Sequence, residues 1–263
     1  MNIGRGNNSS HTNLSIGVSA GASLTSATNN TLLGHLSGNA LTTGSDNVVI
    51  SANASILSAS SKNVVIGGGI PKVSSNTSDS RSVAIGYSST CLGTGHSVSI
   101  GNESYCSGRS VAIGSECGRS AMTSTYNILI GSSCGIALTS GGSNCLIGSN
   151  NSQNLTSGQQ NTIIGISAGA GQTTQSNNTI IGYYSNASDG TNHYTNCSLL
   201  GSNIRNGVIS GNNQVQLGDS STTVYSYAVA TRSDARDKAD ITESDLGLNF
   251  ITKLRAKKWR GLS

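Results

Sequence analysis

Isoleucine or leucine followed by glycine recurs along most of the chain at nearly even intervals, and this recurrence limits the folds open to it. The glycine position falls at Gly17, Gly34, Ser51, Gly67, Gly86, Gly101, Gly114, Gly131, Gly148, Gly165, Gly182, Gly201 and Gly218. Successive gaps are 17, 17, 16, 19, 15, 13, 17, 17, 17, 17, 19 and 17 residues. A sustained period of this length marks a solenoid, in which each repeat is one coil that hides its apolar side only against its neighbours.

The residues around the glycine define the coil. The position just before it is aliphatic from Ile16 and Leu33 to Leu200 and Leu217. Three before it stand Leu14, Val48, Val64, Val83, Val98, Val111, Ile128 and Val215. These two positions share one face of a strand, because side chains alternate. We expect them to stack inside the coil, Ile16 through Leu217. The position between them is also mostly apolar: Leu32, Val49, Val65, Ala84, Ala112, Leu129, Leu146, Ile163, Ile180 and Leu199. A strand apolar on both faces is covered on both faces. One solenoid has one interior, so Val49, Val65, Leu129, Leu146, Ile163 and Ile180 are expected to meet identical chains around a shared axis.

Four before the glycine stands Asn13, Asn30, Asn47, Asn63, Asn127, Asn144, Asn161 or Asn178, with Ser82, Ser97 and Ser110 between the two runs. Both residue types suit a turn entering a strand, and stacked Asn can hydrogen-bond along a ladder. Three beyond the glycine the residue is small, as at Ala20, Ser37, Cys117, Cys134 and Ala168. This reads as room for a second short strand. The fold class is therefore all-β: a parallel β-solenoid of about 13 coils over residues 1–218, each coil two short strands and two turns. Stacked at about 4.8 Å per strand, it makes a rod about 60 Å long.

Composition supports a repeat and argues against a globular enzyme. With 34 Gly, one Trp, one Phe and 10% charged residues, the chain lacks the bulk of an ordinary core. Its Ser, Thr, Asn and Gly content would indicate disorder if the aliphatics were not so regularly placed. The net charge is +4 and no basic cluster stands out before the last few residues, so no nucleic-acid partner is expected. No apolar run reaches the roughly 18 residues of a membrane span, and the N-terminus has no apolar signal core.

Few residues suggest site chemistry. Cys117 and Cys134 sit at equivalent positions one coil apart, Cys145 reads as core, and Cys91, Cys106 and Cys197 have no CxxC partner for zinc. His11, His35, His96 and His193 are scattered, without a nucleophile elbow. The GGG at 67–69 and GTG at 93–95 are turn glycines, since no Lys-Ser/Thr and helix follow. No acidic calcium repeat and no unbroken Thr row occurs. No cofactor or metal is expected.

Composition breaks near residue 233. Residues 233–263 hold 12 charged residues in 31, against 14 in the 232 before them. A strand junction is expected over 219–232, where TTVYSYAVAT alternates Val and Tyr with small residues. Thr242 with Asp245 fits a helix start, and Leu246, Phe250, Ile251 and Leu254 then share a helical face, so a short C-terminal helix is expected.

The motifs SVAIG (82–86, 110–114), SVSIG (97–101), NVVIG (63–67) and NTIIG (161–165, 178–182) resemble the head repeats of trimeric autotransporter adhesins. That resemblance implies a homotrimer of parallel β-rolls. The segment SDARDKADITESDLGLNFITKLRAKKW (233–259) resembles the start of the intramolecular chaperone that ends many phage tailspikes, endosialidases and large-virus fibres. That family's chaperone trimerises, drives folding of the β-fibre and cuts itself off. Its cleavage residues match Ser233 and Lys238 here, with the cut after Arg232. A serine hydroxyl can attack the preceding carbonyl if a desolvated lysine takes its proton. The tail holds only the first part of such a domain, so no cleavage is expected in the chain as it stands. Together these resemblances imply a structural viral or phage fibre segment at the virion surface or tail, presenting a host-attachment surface to a glycan or protein receptor. The alternative is a bacterial cell-surface adhesin head. Neither reading makes it an enzyme beyond self-cleavage.

Overall fold

The computed structural model describes residues 3–4, 12–69, 71–74, 80–92, 95–120, 122–187, 194–204 and 210–223. These belong almost entirely to one compact unit, Met1–Thr222. It is an all-β solenoid of about 11 turns. This is fewer than the 13 coils expected from the glycine positions.

Each glycine ends a three-residue strand, from Leu14–Ile16 and Thr31–Leu33 to Ser198–Leu200 and Val215–Leu217. These strands are parallel and in register, so Ile128 pairs with Cys145, Leu129 with Leu146 and Ile130 with Ile147. They form one long sheet of 14 strands, whose first member, Ile3–Gly4, runs antiparallel against Leu14–Ile16. That strand covers backbone groups that the edge of the sheet would otherwise leave unpaired.

The interior is the reverse of the expected one. The middle residue of each strand points inward: Leu32, Val49, Val65, Ala84, Leu129, Leu146, Ile163 and Ile180 are fully buried. The flanking residues point outward, with Leu33 42%, Ile128 43% and Leu200 55% exposed. Alternation along the strand explains the choice. Asn four before the glycine has the same parity as the middle residue, and it too is buried, as at Asn47 and Asn127. The asparagines claim the inside because stacking satisfies their amides there. Asn30, Asn47 and Asn63 each donate Nδ2 to the Oδ1 of the preceding Asn, at 3.1, 2.9 and 3.0 Å. The same oxygens accept the backbone N–H of the next Asn. A second ladder runs through Asn127, Asn144 and Asn161. Serine hydroxyls bridge the two: Ser97 N–H donates to Ser82 Oγ at 3.4 Å and Asn127 N–H to Ser110 Oγ at 3.1 Å.

A second strand forms only in some coils. Ser55–Ile56, Lys72–Ser74, Thr90–Leu92 and Tyr105–Ser107 make a short parallel sheet of four. In most of the other described coils the same stretch turns. The difference lies four residues beyond the strand-ending glycine. Gly21, Gly38, Gly118, Gly135 and Gly169 hold φ near 60° there, which bends the chain at once. Thr90 and Tyr105, at the same point in their coils, favour extension. The strand-ending glycines are needed for a different reason. At Gly131 (φ 136°) an added Cβ would lie 2.6 Å from the Gly148 carbonyl carbon of the next coil and against its oxygen.

Asn144 tests the amide ladder. Its Nδ2 donates to Asn127 Oδ1 and to the Gly158 carbonyl, and its Oδ1 accepts from both the backbone and side chain of Asn161. We expect Asn144→Ala to cost about 2–4 kcal/mol, because the Asn161 donors are left buried and unpaired. Asn144→Ser should cost less than half as much, since Ser110 already serves the next Asn in this way. Urea unfolding of both variants measures this; equal costs would show that the ladder is not what holds Asn in the core.

Candidate functional site: the outer face of the long sheet

The outward parity of the long sheet lines up apolar side chains along its outer face. One column runs through Ile16, Leu33, Ile50, Ile66, Ile85, Ile100, Ile113, Ile130, Ile147, Ile164, Ile181, Leu200 and Leu217. The other column starts at Leu14 and Thr31 and holds Val48, Val64, Val83, Val98, Val111 and Ile128, then the smaller Cys145, Thr162, Thr179 and Ser198, and ends at Val215. In-register pairing sets each aliphatic beside its equivalent on the next coil. Past the glycine, Val18, Tyr87, Ile166 and Tyr183 are each more than half exposed and widen the face. At about 60 Å long and about 10 Å wide, the face covers on the order of 600 Å², as much as the largest apolar patch usual on a monomer.

The expected contact column, Val49, Val65, Leu129, Leu146, Ile163 and Ile180, is therefore corrected: it is core, with no exposure. A strand apolar at three consecutive positions does not announce which parity faces in. The buried Asn, whose residue type also suits a surface turn, is the sign that decides it.

Two thiol pairs lie in the interior. Cys91 and Cys106 are in register on the short sheet, with sulfurs 3.3 Å apart. Cys134 lies against Cys117 of the preceding coil, and its thiol donates to the Leu146 carbonyl at 3.3 Å. The Cys91 and Cys134 thiols are pushed well up, first by the hydrogen bond with the partner thiol and then by burial. Such thiols are poor nucleophiles and metal ligands. Cys145, expected in the core, sits instead on the outer column and is half-buried.

The remaining residues singled out from sequence do not converge. His35 and His96 are exposed on separate coils. Among the described residues, no group of three His, Cys, Asp or Glu could hold a metal ion. Ser233, Lys238 and Arg232, the expected helix with Leu246, Phe250, Ile251 and Leu254, and His11 and His193 lie outside the described residues. No protein family, curated protein or solved structure matches the chain.

Opposite fates are expected for two neighbouring aspartates. Leu146→Asp places a charge in the core and should abolish the β-sheet signal in circular dichroism, whereas Ile147→Asp, one residue away and pointing outward, should keep it. The reverse pattern would return Ile147 to the interior and overturn this assignment of faces.

Proposed function

We propose that this chain is a structural fibre segment whose solenoid assembles as a parallel homotrimer through the outer face of the long sheet. The observation that carries this reading is the unbroken outward column of Ile and Leu at the last strand position of every coil, flanked by a second column that is mostly aliphatic as far as Ile128. A second copy of the chain is the partner that fits it. Only another parallel solenoid repeats its side chains at the same interval of about 4.8 Å along the whole length, so that rungs can interleave from end to end. The core of one chain is thin, with one strand residue, one Asn or Ser and a few turn residues per coil. Covering the outer columns adds an apolar layer comparable to the core itself. Closure around a shared axis then leaves no copy of the face in water.

The number three comes from the resemblance of the SVAIG-type repeats to trimeric adhesin heads. The setting, a viral or phage fibre on the virion that presents a host-attachment surface, comes from the chaperone-like tail at 233–259. A bacterial adhesin head would use the same face, and the tail is what favours the viral reading. In a parent that carries the complete chaperone, Ser233 attacks the Arg232 carbonyl while Lys238 accepts its proton. The amide C–N bond then breaks as the Ser233 amine takes up the proton, leaving Arg232 as an ester on Ser233 Oγ, and water hydrolyses that ester to release the shaft with a free Arg232 carboxylate.

Light scattering on the purified chain should give three times the monomer mass, and Ile147→Asp with Ile164→Asp should reduce it to one. A wild-type monomer of undiminished stability would remove the assembly. For the tail, mass spectrometry of the parent should find the shaft ending at Arg232, with Ser233→Ala leaving the chain whole. Continued cleavage at this bond in that variant would reject Ser233 as the nucleophile.

A further inference from the structure

Two of the interior cysteines stand on the short parallel sheet, where the coils are shortest. Cys91 and Cys106 pair directly across neighbouring strands, flanked by the pairs Thr90 with Tyr105 and Leu92 with Ser107. Backbone hydrogen bonds pin the strands on both sides: Thr90 N–H donates to Ser104 O at 2.9 Å and Gly108 N–H to Leu92 O at 3.1 Å. The two Cα atoms are thus one strand spacing apart, about 4.8 Å, within the roughly 4.4–6.8 Å that a disulfide spans. The sulfurs already stand 3.3 Å apart, and about 1.2 Å of further approach brings them to bonding distance.

The residue types around each pair distinguish it from the other. On the two preceding strands of the short sheet, the position of Cys91 and Cys106 is held by Ile56 and Val73, both fully buried. An aliphatic side chain fills that place, so no hydrogen bond there calls for a thiol. Cys117 and Cys134 stand instead three past the strand-ending glycine, where Ser37, Ser89 and Ser104 stand on other coils. Those hydroxyls donate to the carbonyls of Val49, Ser99 and Ala112. The two thiols donate likewise to the carbonyls of Leu129 and Leu146, each at 3.3 Å. Cys117 and Cys134 therefore take the place of serine, and oxidation would remove both hydrogen bonds. Oxidation of the other pair removes only one to a carbonyl, from Cys91 to Val83 O at 3.2 Å. The sulfur of Cys106 turns to that of Cys91.

We infer that Cys91 and Cys106 form a disulfide that ties two neighbouring coils together inside the solenoid. The bond is made before the coil closes, because in the closed coil both residues are buried and the Cys91 thiol keeps its proton. The oxidant is a small disulfide of the glutathione kind. The thiolate of one cysteine attacks it, forms a mixed disulfide and releases one small thiol. The thiolate of the other then attacks the cysteine sulfur of that intermediate and releases the second small thiol. Two electrons and two protons pass from the protein to the oxidant, which leaves as two thiols. Closure of the coil then shields the bond from reductants. The inference does not depend on how the chain assembles or what it attaches to.

The test uses the full chain made in an oxidising compartment and, in parallel, in a reducing one. Each sample is unfolded in urea with iodoacetamide and cut with trypsin, which releases residues 82–109 whole, since no Lys or Arg lies between Arg81 and Arg109. That peptide holds Cys91 and Cys106 and no other cysteine. From the oxidised sample it should carry no alkyl group and weigh about 2 Da less than the free dithiol; from the reduced sample it should carry two alkyl groups. Cys117 and Cys134 should be alkylated in both. Dithiothreitol should leave the bond intact in the folded chain and break it in urea. The cysteines are 15 residues apart, so the oxidised chain should melt on the order of 5 °C above the reduced one. Cys91→Ala with Cys106→Ala should abolish that difference. Should this variant fail to fold, Cys117→Ser with Cys134→Ser keeps the serine-type hydrogen bonds and should retain both the light peptide and the shift in melting. Two alkyl groups on residues 82–109 from the oxidised sample, a bond between Cys117 and Cys134 in its place, or reduction of the folded chain without urea would overturn the inference.

Discussion

Each residue of the long sheet stacks on its own equivalents. The parallel, in-register hydrogen-bond ladder at about 4.8 Å imposes this, and most of the molecule follows from it. Under such stacking a residue type is selected for how it tolerates itself as a neighbour. Asparagine does so well, because its carbonyl and amide complement those of the next Asn. Strand-ending glycine does so because its backbone is packed against the carbonyl of the next one. Isoleucine and valine do so by flush contact of branched side chains.

The same rule explains how a polar interior can be stable. A buried amide with an unmet donor would cost more than an apolar side chain gains. In this column the donors are met by the neighbouring Asn and by turn carbonyls such as Gly158 O. The coil narrows where serine replaces asparagine, between Ser82 and Ser110. There the repeats shorten to 15 and 13 residues, and Ala84, Ser99, Ala112, Cys91 and Cys106 fill the inside. Shorter coils enclose less volume and are filled by smaller side chains, so repeat length and core size change together.

A thin core and a broad apolar exterior have consequences for assembly. Since the outer columns carry most of the larger aliphatics, a single chain keeps in water much of the surface that could stabilise it. A repeat protein whose coils support only their neighbours can gain that stability along its whole length by association.

The strands, their parallel stacking and their endpoints were legible in the spacing of the glycines, because a recurring Ile-Gly pair reports each coil directly. The Asn ladder was legible too, since equivalent positions of a solenoid must touch. Which face looks inward was not. Leu146 and Ile147 are equally apolar, and only closure of the coil, which gathers the Asn column and the middle residues on one side, separated them. The second strand was overread because a small residue three past the glycine allows either course, and the residue after it decides between turn and strand. Sequence alone determined the repeat, because local spacing encodes it. Tertiary structure alone decided inside from outside and which distant side chains share a line, because both depend on how the coil closes and stacks.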